Sequence, residues 1–548
     1  MRSFDRVLTG LILWGLLFLG LFWLVPGVST QVVLDPSYTL VSLVTLFLGL
    51  IVIGTYYALY RKEKNQILIE LISLKEKGIQ VFLDRFELLL YGRDAGDLPR
   101  ISNLAFNYNA RAIVQPRNLE ELCEILKLCV KNKIPLIPRA AGTSGYGGVI
   151  PIESGIIVNL RDFNKIIGLN REEKTVVVES GVIWFKLLKY LEEEGLTLPC
   201  YPSSSLSSTV GGWISQGGYG IGSSKYGSLE EHVFSVTLVD MGGTERTFEN
   251  TADFIGSYGT LGVITRIKLR VISKTQMKHL AVTADQEKSL FRAAQPLQEL
   301  IPYFLRFVDR RNLRKPTSRP NIISLESSLP LSGGVLSISF REEDWVPDLF
   351  EEIIREHGLT LLSDDWGDTL WKERFYTLRM KRRGPSLIIA EINIPTRELE
   401  RVLQTLNFKF DEYNYTKEFI TNKGGITTIL VWFPDDIRKD SRFGIRSISF
   451  LFRSLRPYLI LRIARQYGGF GYSTGLWYSP YSKSILGPKL ERFRILKKQH
   501  DPYKLLNPGK IWAPYFPRFF PIIPYSILIR IFIPIFDIIL RIFPRKYR

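Results

Sequence analysis

The stretch from Pro138 to Gly148, PRAAGTSGYGG, constrains what this chain can fold into more than any other. It follows an apolar run, Ile134 to Ile137, and holds four glycines among small residues. Glycine allows positive φ and a close approach of the backbone to a ligand, and successive N–H groups in such a loop can form a concave anion site. The stretch therefore predicts either a cradle for a diphosphate or a glycine-rich surface turn.

Two further loops have the same character. One reads PSSSLSSTVGGWISQGGYGIGSSKYG from Pro202 to Gly227, and the other reads GSYGTLGVITRIKL from Gly256 to Leu269. Strand-like apolar runs border each loop, and loops of this kind can together line one elongated ligand. Three such loops favour a binding site over three unrelated turns.

Length, charge and cysteine content narrow the class of protein. A chain of 548 residues is too long for one core, so at least two domains are expected. The net charge of +18 suits a surface that faces anionic lipid, and no nucleic-acid-binding motif is present, so no nucleic acid partner is expected. The three cysteines form neither a disulfide framework nor a metal-binding pattern, so no metal site is expected either.

The N-terminal residues predict a membrane anchor. Val7 to Val25 and Leu40 to Tyr60 are almost wholly apolar, and each is about long enough to span a bilayer as a helix. Lysine and arginine flank the pair outside but not in the short connection, so the positive-inside rule places both ends in the cytoplasm. A cleaved signal peptide is the alternative for the first segment.

Periodicity and end signals predict the main elements of the body. One amphipathic helix is expected from Asn65 to about Leu90, linking the anchor to the body. Further along, the patterns predict helices at Asn118–Asn132 and Trp184–Gly195, strands at Ile156–Leu160 and Thr175–Glu179, and a hairpin from Val233 to Phe248.

The C-terminal tail from Tyr515 to Arg548 is apolar with interspersed arginine. Ser526, Arg530, Asp537 and Arg541 share one helical face, with isoleucine, leucine and phenylalanine opposite. The pattern predicts a helix lying in the membrane interface, and a helix docked on the protein core is the alternative.

The motifs between Tyr91 and Val271 resemble the FAD-binding domain of the vanillyl-alcohol oxidase and p-cresol methylhydroxylase (PCMH) superfamily, particularly its glycolate oxidase and D-lactate dehydrogenase branch. The matching pieces are YGRDAG, AIVQPRNLEEL, IPLIPRAAGTSGYGG, STVGG, SSKYG and GTLGVIT, with DPYKLLNPGKIW (Asp501–Trp512) similar to the closing segment of the superfamily. The resemblance implies FAD as cofactor and a two-lobed α+β flavin domain.

The resemblance also implies the residues that would contact FAD. They are, in chain order, Arg139, Ala141, Gly142, Thr143, Ser144 and Gly145 in the first loop, Ser208, Thr209, Gly211 and Gly212 in the second, Gly262, Val263 and Ile264 in the third, and Asn507 and Lys510 in the closing segment. Some members link FAD covalently through a histidine in the first loop. Thr143 holds that position here and the second loop has no cysteine, so the resemblance implies non-covalent FAD.

The catalytic side departs from the usual pattern of the branch. In the segment Trp371–Pro395, similar to its central domain, an arginine would pair with a substrate carboxylate, and Arg374 and Arg379 are the candidates; a solvated basic helix face is the alternative. None of the four histidines lies in a histidine motif of the branch. Where the branch carries one such motif, this chain reads YGGFGYSTGLWYSPY (Tyr467–Tyr481), which has no histidine. Glu391 is therefore a candidate base or a structural strand residue, and Tyr472 and Tyr478 line a substrate pocket or contribute to ordinary packing.

Together these features predict a membrane-anchored, cytoplasm-facing FAD oxidoreductase. The expected organisation is a transmembrane hairpin (1–65), a PCMH-type FAD-binding domain (66–275), an antiparallel-sheet substrate or cap domain (276–465), a segment completing the flavin site (466–512) and an amphipathic tail (513–548). The first functional hypothesis is a dehydrogenase of a 2-hydroxy acid or related alcohol that passes electrons to a membrane quinone or another acceptor. The alternatives are an oxidoreductase acting on a lipid, since TVGGWISQGGYGIGSSKYG also resembles sterol side-chain reductases, and a non-catalytic flavin-binding subunit of a membrane complex.

Overall fold

The computed structural model describes residue 55 and residues 64–96, 110–313, 333–376, 386–410, 415–435, 453–513 and 525–542. The predicted membrane spans, Val7–Val25 and Leu40–Tyr60, lie outside the described residues apart from Thr55, and Arg379 lies outside them as well. In the part of the chain that is described, no helix is both long and apolar enough to cross a bilayer.

The first lobe is a small sheet covered by helices. Its elements are α1 (64–76), β1 (Gln80–Phe82), α2 (Arg85–Tyr91), β2 (Ala112–Gln115), α3 (Leu119–Lys131), β3 (Leu136–Arg139) and β4 (Ile156–Asn159). The strand order is β1-β2-β4-β3, with β4 parallel to both β2 and β3. Asn118 begins α3 as expected, because its side chain accepts a hydrogen bond of 2.9 Å from the N–H of Glu121. The apolar stripe of α3 is buried, as its periodicity predicts.

The single helix expected from Asn65 to Leu90 is wrong. The helix ends at residue 76, and Gly78 follows with φ of +87°, a conformation that stops a helix at little cost. The next residues form β1 and pair antiparallel with β2. Asp84 then caps the new helix α2 by accepting from the N–H of Phe86 at 2.7 Å. A sheet pairing between distant residues overrides the local helical period here.

The second lobe is an antiparallel sheet. Its elements are β5 (Ile166–Asn170), β6 (Thr175–Glu179), α4 (Trp184–Glu193), β7 (Leu196–Thr197), α5 (Val210–Gln216), α6 (Ser223–Tyr226), β8 (Val233–Val239), β9 (Glu245–Phe248), β10 (Val263–Arg270) and β11 (Ile272–Ser273). The main strand order is β5-β6-β10-β8-β9. The predicted strand at Thr175–Glu179 and the hairpin from Val233 to Phe248 are confirmed.

A large antiparallel sheet lies over the two lobes and is called the cap sheet here. Its eight strands, in the order β15-β12-β14-β13-β17-β18-β16-β19, are β12 (Met277–Thr283), β13 (Phe304–Asp309), β14 (Gly334–Arg341), β15 (Thr360–Leu361), β16 (Ser386–Pro395), β17 (Thr416–Asn422), β18 (Ile426–Asp435) and β19 (Phe470–Gly471). Its helices are α7 (Glu287–Glu299), α8 (Arg310–Leu313), α9 (Pro347–Glu356), α10 (Asp364–Lys372), α11 (Leu399–Phe410) and α12 (Arg456–Gln466).

The chain then returns from the cap sheet to the first lobe. Short helices α13 (Gly475–Tyr478) and α14 (Ser482–Leu486) precede α15 (Lys489–His500). Leu136 in β3 donates its N–H to the carbonyl of Leu505 at 2.9 Å, and the N–H of Asn507 donates to the carbonyl of Leu136 at 2.8 Å. The segment around Asn507 thus extends the edge of the first sheet next to the first glycine loop.

The last described element is α16 (Tyr525–Ile542), which rests on the returning segment. Ile529 and Ile533 are buried, and α16 contacts α12 and the turn Ser479–Tyr481. A second stripe of large apolar side chains stays exposed along α16: Ile527, Ile531, Phe532, Ile535 and Ile538. The tail helix therefore has one docked face and one apolar face open to its surroundings.

Candidate functional site

One large cavity lies where the two lobes meet the cap sheet. Its volume is about 920 Å³, at the upper end of the range for small-molecule and cofactor sites. The walls come from all three glycine-rich loops on one side and from strands β16, β17 and β18 on the other. The structure therefore brings the three loops together around one space.

The first loop presents a row of free backbone donors to the cavity. Ala141, Gly142, Thr143, Ser144 and Gly145 all line it. Within the described residues, none of their five N–H groups donates to a protein acceptor, although the neighbouring amide of Tyr146 donates to Ser144 Oγ at 3.3 Å. Backbone donors need a partner, and successive free N–H groups suit an anion. The arrangement fits a diphosphate.

Arg139 shapes this loop from below. Its Nη1 donates to the carbonyls of Tyr91 at 3.1 Å and Arg93 at 2.6 Å, and its Nη2 donates to the carbonyl of Ala141 at 3.5 Å. Arg139 lies in the cavity wall, but these donors face protein carbonyls. Its place is that of a brace for the loop more than of a phosphate ligand.

Asp94, which sequence reasoning did not single out, ties the first loop to the preceding segment. Its Oδ1 accepts from the N–H of Gly96 and its Oδ2 from the N–H of Gly148, both at 3.0 Å. Burial raises the pKa of Asp94 to about 7, against the lowering effect of these hydrogen bonds and of Arg139. The signal was its place in YGRDAG, where a carboxyl between glycines can accept from turn amides.

The second loop supplies the facing wall. Ser208, Thr209, Gly211 and Gly212 all line the cavity. Thr209 Oγ1 accepts from the N–H of Gly212 at 3.2 Å and so begins α5. A Cβ on Gly211 would lie 2.5 Å from Cβ of Ser180, so the close contact between α5 and the strand side of the lobe requires glycine.

Three residues assigned to the cofactor lie behind the wall instead. Gly262 and Ile264 line the cavity, but Val263 between them points to the other side of β10 and is buried with Val239 and Leu505, because side chains alternate along a strand. Asn507 donates to the carbonyls of Gly148 at 2.9 Å and Tyr258 at 2.6 Å.

Lys510 is the third of these residues. Its Nζ donates to the carbonyl of Ile150 at 2.5 Å. Burial lowers the pKa of Lys510 to about 7, while the charge of Asp94 opposes this fall. Asn507 thus supports two residues of the wall, whereas Lys510 bonds a residue outside it, and neither side chain lines the cavity.

Two of the four catalytic candidates are absent from the cavity wall. Arg374 lies between two rings, with its Cζ 4.0 Å from the ring centre of Trp371 and 4.2 Å from that of Phe375. Its Nη1 donates to the carbonyl of Trp371 at 2.8 Å, and its Nε to the hydroxyl of Tyr201 at 3.3 Å. Stacking and local hydrogen bonds thus use the guanidinium that was expected to bind a substrate carboxylate.

Tyr478 is a core residue. It is 2% exposed, and its ring packs on those of Tyr146 and Tyr458 at centroid distances of 5.9 and 5.7 Å. Tyr472 does line the cavity, but backbone groups use its hydroxyl, which accepts from the N–H of Tyr219 at 3.1 Å and donates to its carbonyl at 2.9 Å. Tyr472 therefore joins the returning segment to the second glycine loop.

Glu391 is an acidic residue of the cavity wall on the cap-sheet side. It lies on β16, partly buried, and its Oε2 accepts a hydrogen bond from the hydroxyl of Tyr146 in the first glycine loop. Burial raises the pKa of Glu391 to about 7, and the hydrogen bond from Tyr146 opposes the rise. A carboxyl with such a pKa can accept a proton near neutral pH.

A second carboxylate on the same face of the cap sheet is fully paired. Glu418 lines the cavity, but its Oε2 lies 2.6 Å from Arg306 Nη2, and its Oε1 accepts from Asn312. Both side chains of the ion pair are 3% exposed. Alternation of side chains along β13 and β17 could have placed Arg306 and Glu418 on one face of the sheet. Only the pairing of the two strands brings them close enough to form an ion pair.

The fold and the cavity define a PCMH-type FAD-binding protein. A family model described as FAD binding domain matches residues 110–249. The chain is 34% identical over 429 residues to a D-lactate dehydrogenase of Anaerostipes hadrus, covering 73% of this chain and 89% of that one. It is 24% identical to the glycolate oxidase subunit GlcD of Bacillus subtilis, covering 80% and 97%. The chain belongs to this family of FAD-dependent oxidoreductases.

Solved structures show the same fold. A 4-ethylphenol oxidase from Gulosibacter chungangensis superposes with a TM-score of 0.65 at 15% identity, covering 82% of this chain and 98% of that one. An alkyldihydroxyacetonephosphate synthase gives 0.62 at 20% identity, covering 79% and 83%. The cofactor of the chain is FAD, and the five free N–H groups of the first loop fit its diphosphate.

Proposed function

We propose that this chain oxidises a 2-hydroxy acid or a related alcohol, with Glu391 as the base. The observation that carries the proposal is the position of Glu391, whose carboxyl lies in the wall of the FAD cavity with a pKa raised to about 7. Relatives named D-lactate dehydrogenase and glycolate oxidase support the substrate class. Since Arg374 is stacked away from the cavity, the proposal assigns it no contact with a substrate carboxylate.

The chemistry divides between cofactor and protein. Bound FAD would supply the acceptor for the two electrons and the hydrogen that leave the alcohol carbon. Glu391 would take the proton of the hydroxyl, so that a carbonyl forms. Ile389, Leu430 and Phe419 in the same wall would exclude water from this step.

Anaerobic reduction of the purified, FAD-loaded protein tests the proposal. We expect D-lactate, glycolate or D-2-hydroxyglutarate to bleach the flavin absorbance, and we expect Glu391→Gln to slow that bleaching by about 10²–10⁴-fold at pH 7 while the bound flavin stays unchanged. Bleaching at an equal rate in the variant would remove Glu391 from the proposal. No bleaching by any hydroxy acid or simple alcohol would overturn the substrate class.

A lipid alcohol or lipid alkene is a second candidate substrate. Phe86, Leu89 and Leu90 on α2 are exposed large apolar residues and also line the cavity, so this part of its wall is apolar where it meets solvent. Turnover only with NAD(P)H and a sterol-like or polyprenyl lipid would favour this candidate. A flavin that no substrate or reductant changes would favour a non-catalytic flavin-binding subunit.

The proposal includes non-covalent FAD. Thr143 in the first loop lines the cavity. The four histidines and three cysteines all lie in the described residues, and none of them lines the cavity. Acid precipitation should leave the yellow colour in the supernatant. Colour that remains with the denatured polypeptide would contradict a non-covalent link.

Membrane attachment and transfer of electrons to a quinone are also part of the proposal. Support comes from the predicted hairpin before residue 65, from the net charge of +18 and from the exposed apolar stripe of α16. The body would face the cytoplasm. Full-length protein should sediment with membranes and resist extraction at high salt, and reduced flavin should reoxidise faster with a soluble quinone analogue than in buffer.

A further inference from the structure

Tyr146 lines the cavity and is held in place from two sides of the fold. It is 6% exposed and lies at the end of the diphosphate loop. Its carbonyl accepts from the N–H groups of Leu476 at 2.9 Å and Trp477 at 3.4 Å. Gly475 makes this approach possible, because a Cβ there would overlap the Tyr146 carbonyl. The Tyr146 ring, packed on Tyr478, is thus held by both the flavin lobe and the returning segment.

The Tyr146 hydroxyl reaches across to the cap sheet. It donates to Glu391 Oε2, a partner 245 residues away in the sequence. Within the described residues, Glu391 Oε1 has no hydrogen-bond donor. One oxygen of the carboxyl is therefore occupied by protein, while the other is an open acceptor in the wall of the cavity.

The titratable groups that face Glu391 are tyrosines. Among the described residues, no lysine or arginine forms an ion pair with it. Tyr146, Tyr258 and Tyr472 face it from the first loop, the third loop and the returning segment. On the sheet itself, Leu430 separates it from Glu418, whose charge is paired with Arg306. Of these groups, Tyr146 makes the hydrogen bond.

We propose that Tyr146 is a positioning residue for the oxidation: its hydroxyl holds Oε2 of Glu391 so that Oε1 remains turned to the cavity and accepts the proton of the substrate hydroxyl. The inference rests on the proposed function of Glu391 as the base. The proton would move from the substrate oxygen to Oε1, bound FAD would supply the acceptor for the hydride, and Tyr146 would keep its own proton throughout.

Removal of the Tyr146 hydroxyl should change the pKa of Glu391 in a definite direction. A donor to a carboxylate favours its ionised form, so the hydrogen bond lowers the pKa of Glu391 below what burial alone would give. Tyr146→Phe keeps the ring and deletes the donor. The carboxyl then holds its proton to higher pH, and its open oxygen is no longer fixed in direction.

Infrared titration of the FAD-loaded protein tests this without any substrate. The carbonyl band of protonated Glu391 is assigned as the band lost in Glu391→Gln. In Tyr146→Phe we expect its titration midpoint to rise by about one pH unit, the tenfold change that one hydrogen bond to a charged group gives. In stopped-flow reduction, the acid limb of the rate should move by the same amount, with a larger fall in the maximal rate than in apparent affinity.

Tyr303→Phe is the matched control. Tyr303 is also a buried tyrosine, 4% exposed, and its hydroxyl donates to the carbonyl of Leu198 at 3.2 Å. It does not line the cavity. Its loss should leave the band and the acid limb in place. An unchanged midpoint in Tyr146→Phe, with Glu391→Gln still inactive, would overturn the inference and leave the proposed function intact. A raised midpoint with Glu391→Gln fully active would instead overturn the base that both proposals share.

Discussion

Gly142 shows how one residue can decide whether the cofactor loop forms. Its φ is +65°, and a Cβ at this position would overlap the guanidinium of Arg139. That guanidinium cannot move without giving up its hydrogen bonds to Tyr91 and Arg93. Glycine is therefore needed here both for backbone conformation and for space.

We expect Gly142→Ala to weaken FAD binding about tenfold or more, since left-handed strain alone costs about 1–2 kcal/mol. The measurement is the dissociation constant for FAD by fluorescence titration of the apoprotein. Gly168→Ala is the control, because a Cβ there meets nothing within 4 Å. Equal affinities in the two variants would mean that the first loop does not hold the diphosphate.

Arg374 is a residue whose role the structure changes. The resemblance of its segment made it a candidate partner for a substrate carboxylate, but two aromatic rings stack on its guanidinium. Arg374→Met should lower the free energy of unfolding by about 1–2 kcal/mol through lost stacking, seen as a lower Tm. The apparent affinity for the reducing substrate should stay the same. A selective rise in KM without a change in Tm would restore the carboxylate partner.

At the scale of elements, α16 has one face packed against the protein and another that is exposed. The helix contacts α12 and the turn before α14, and Ile529 and Ile533 are buried, while its exposed apolar residues form a second stripe. An amphipathic pattern in the sequence indicates a helix with a polar face, but it does not say which apolar residues meet protein. That assignment comes from the position of the returning segment.

Paired substitutions on α16 test this division. Ile533→Asp places a charge at a side chain that is 2% exposed and should lower Tm markedly, because an unpaired buried charge is strongly destabilising. Ile531→Asp, at 52% exposure, should leave Tm unchanged but reduce cosedimentation with vesicles of anionic phospholipid. Undiminished vesicle binding by Ile531→Asp would remove this stripe from the membrane proposal.

At the scale of the whole molecule, the cavity has a cost in stability. Glu391 is partly buried in the cavity wall, and its pKa of about 7 lies above the ordinary 4.5. The folded state therefore holds a proton that the unfolded chain has already lost between these values. Stability from this group falls as pH rises from about 4.5 to 7 and then levels off.

Glu391→Gln should remove that dependence. At pH 5 the variant and the native protein should melt at similar temperatures, because both carry a neutral side chain. At pH 8 the variant should have the higher Tm, by an amount that grows across the window from pH 5 to 7. A constant difference in Tm across pH would show that the carboxyl is charged in the folded state throughout.

The sequence by itself determined the cofactor loops, the local helices and strands such as α3 and β6, and the family. Those features depend on glycine at particular steps, on end signals and on short periods, all of which are local. It could not determine which donors in the loops stay free, nor that the residues near Gly78 leave a helix to pair with β2. It also missed Tyr146, and it could not show that Arg374, Tyr478, Val263, Asn507 and Lys510 lie outside the cavity wall. Only the tertiary structure decided these, because a contact such as that between Tyr146 and Glu391 joins residues 245 positions apart and depends on how the cap sheet lies over the lobes.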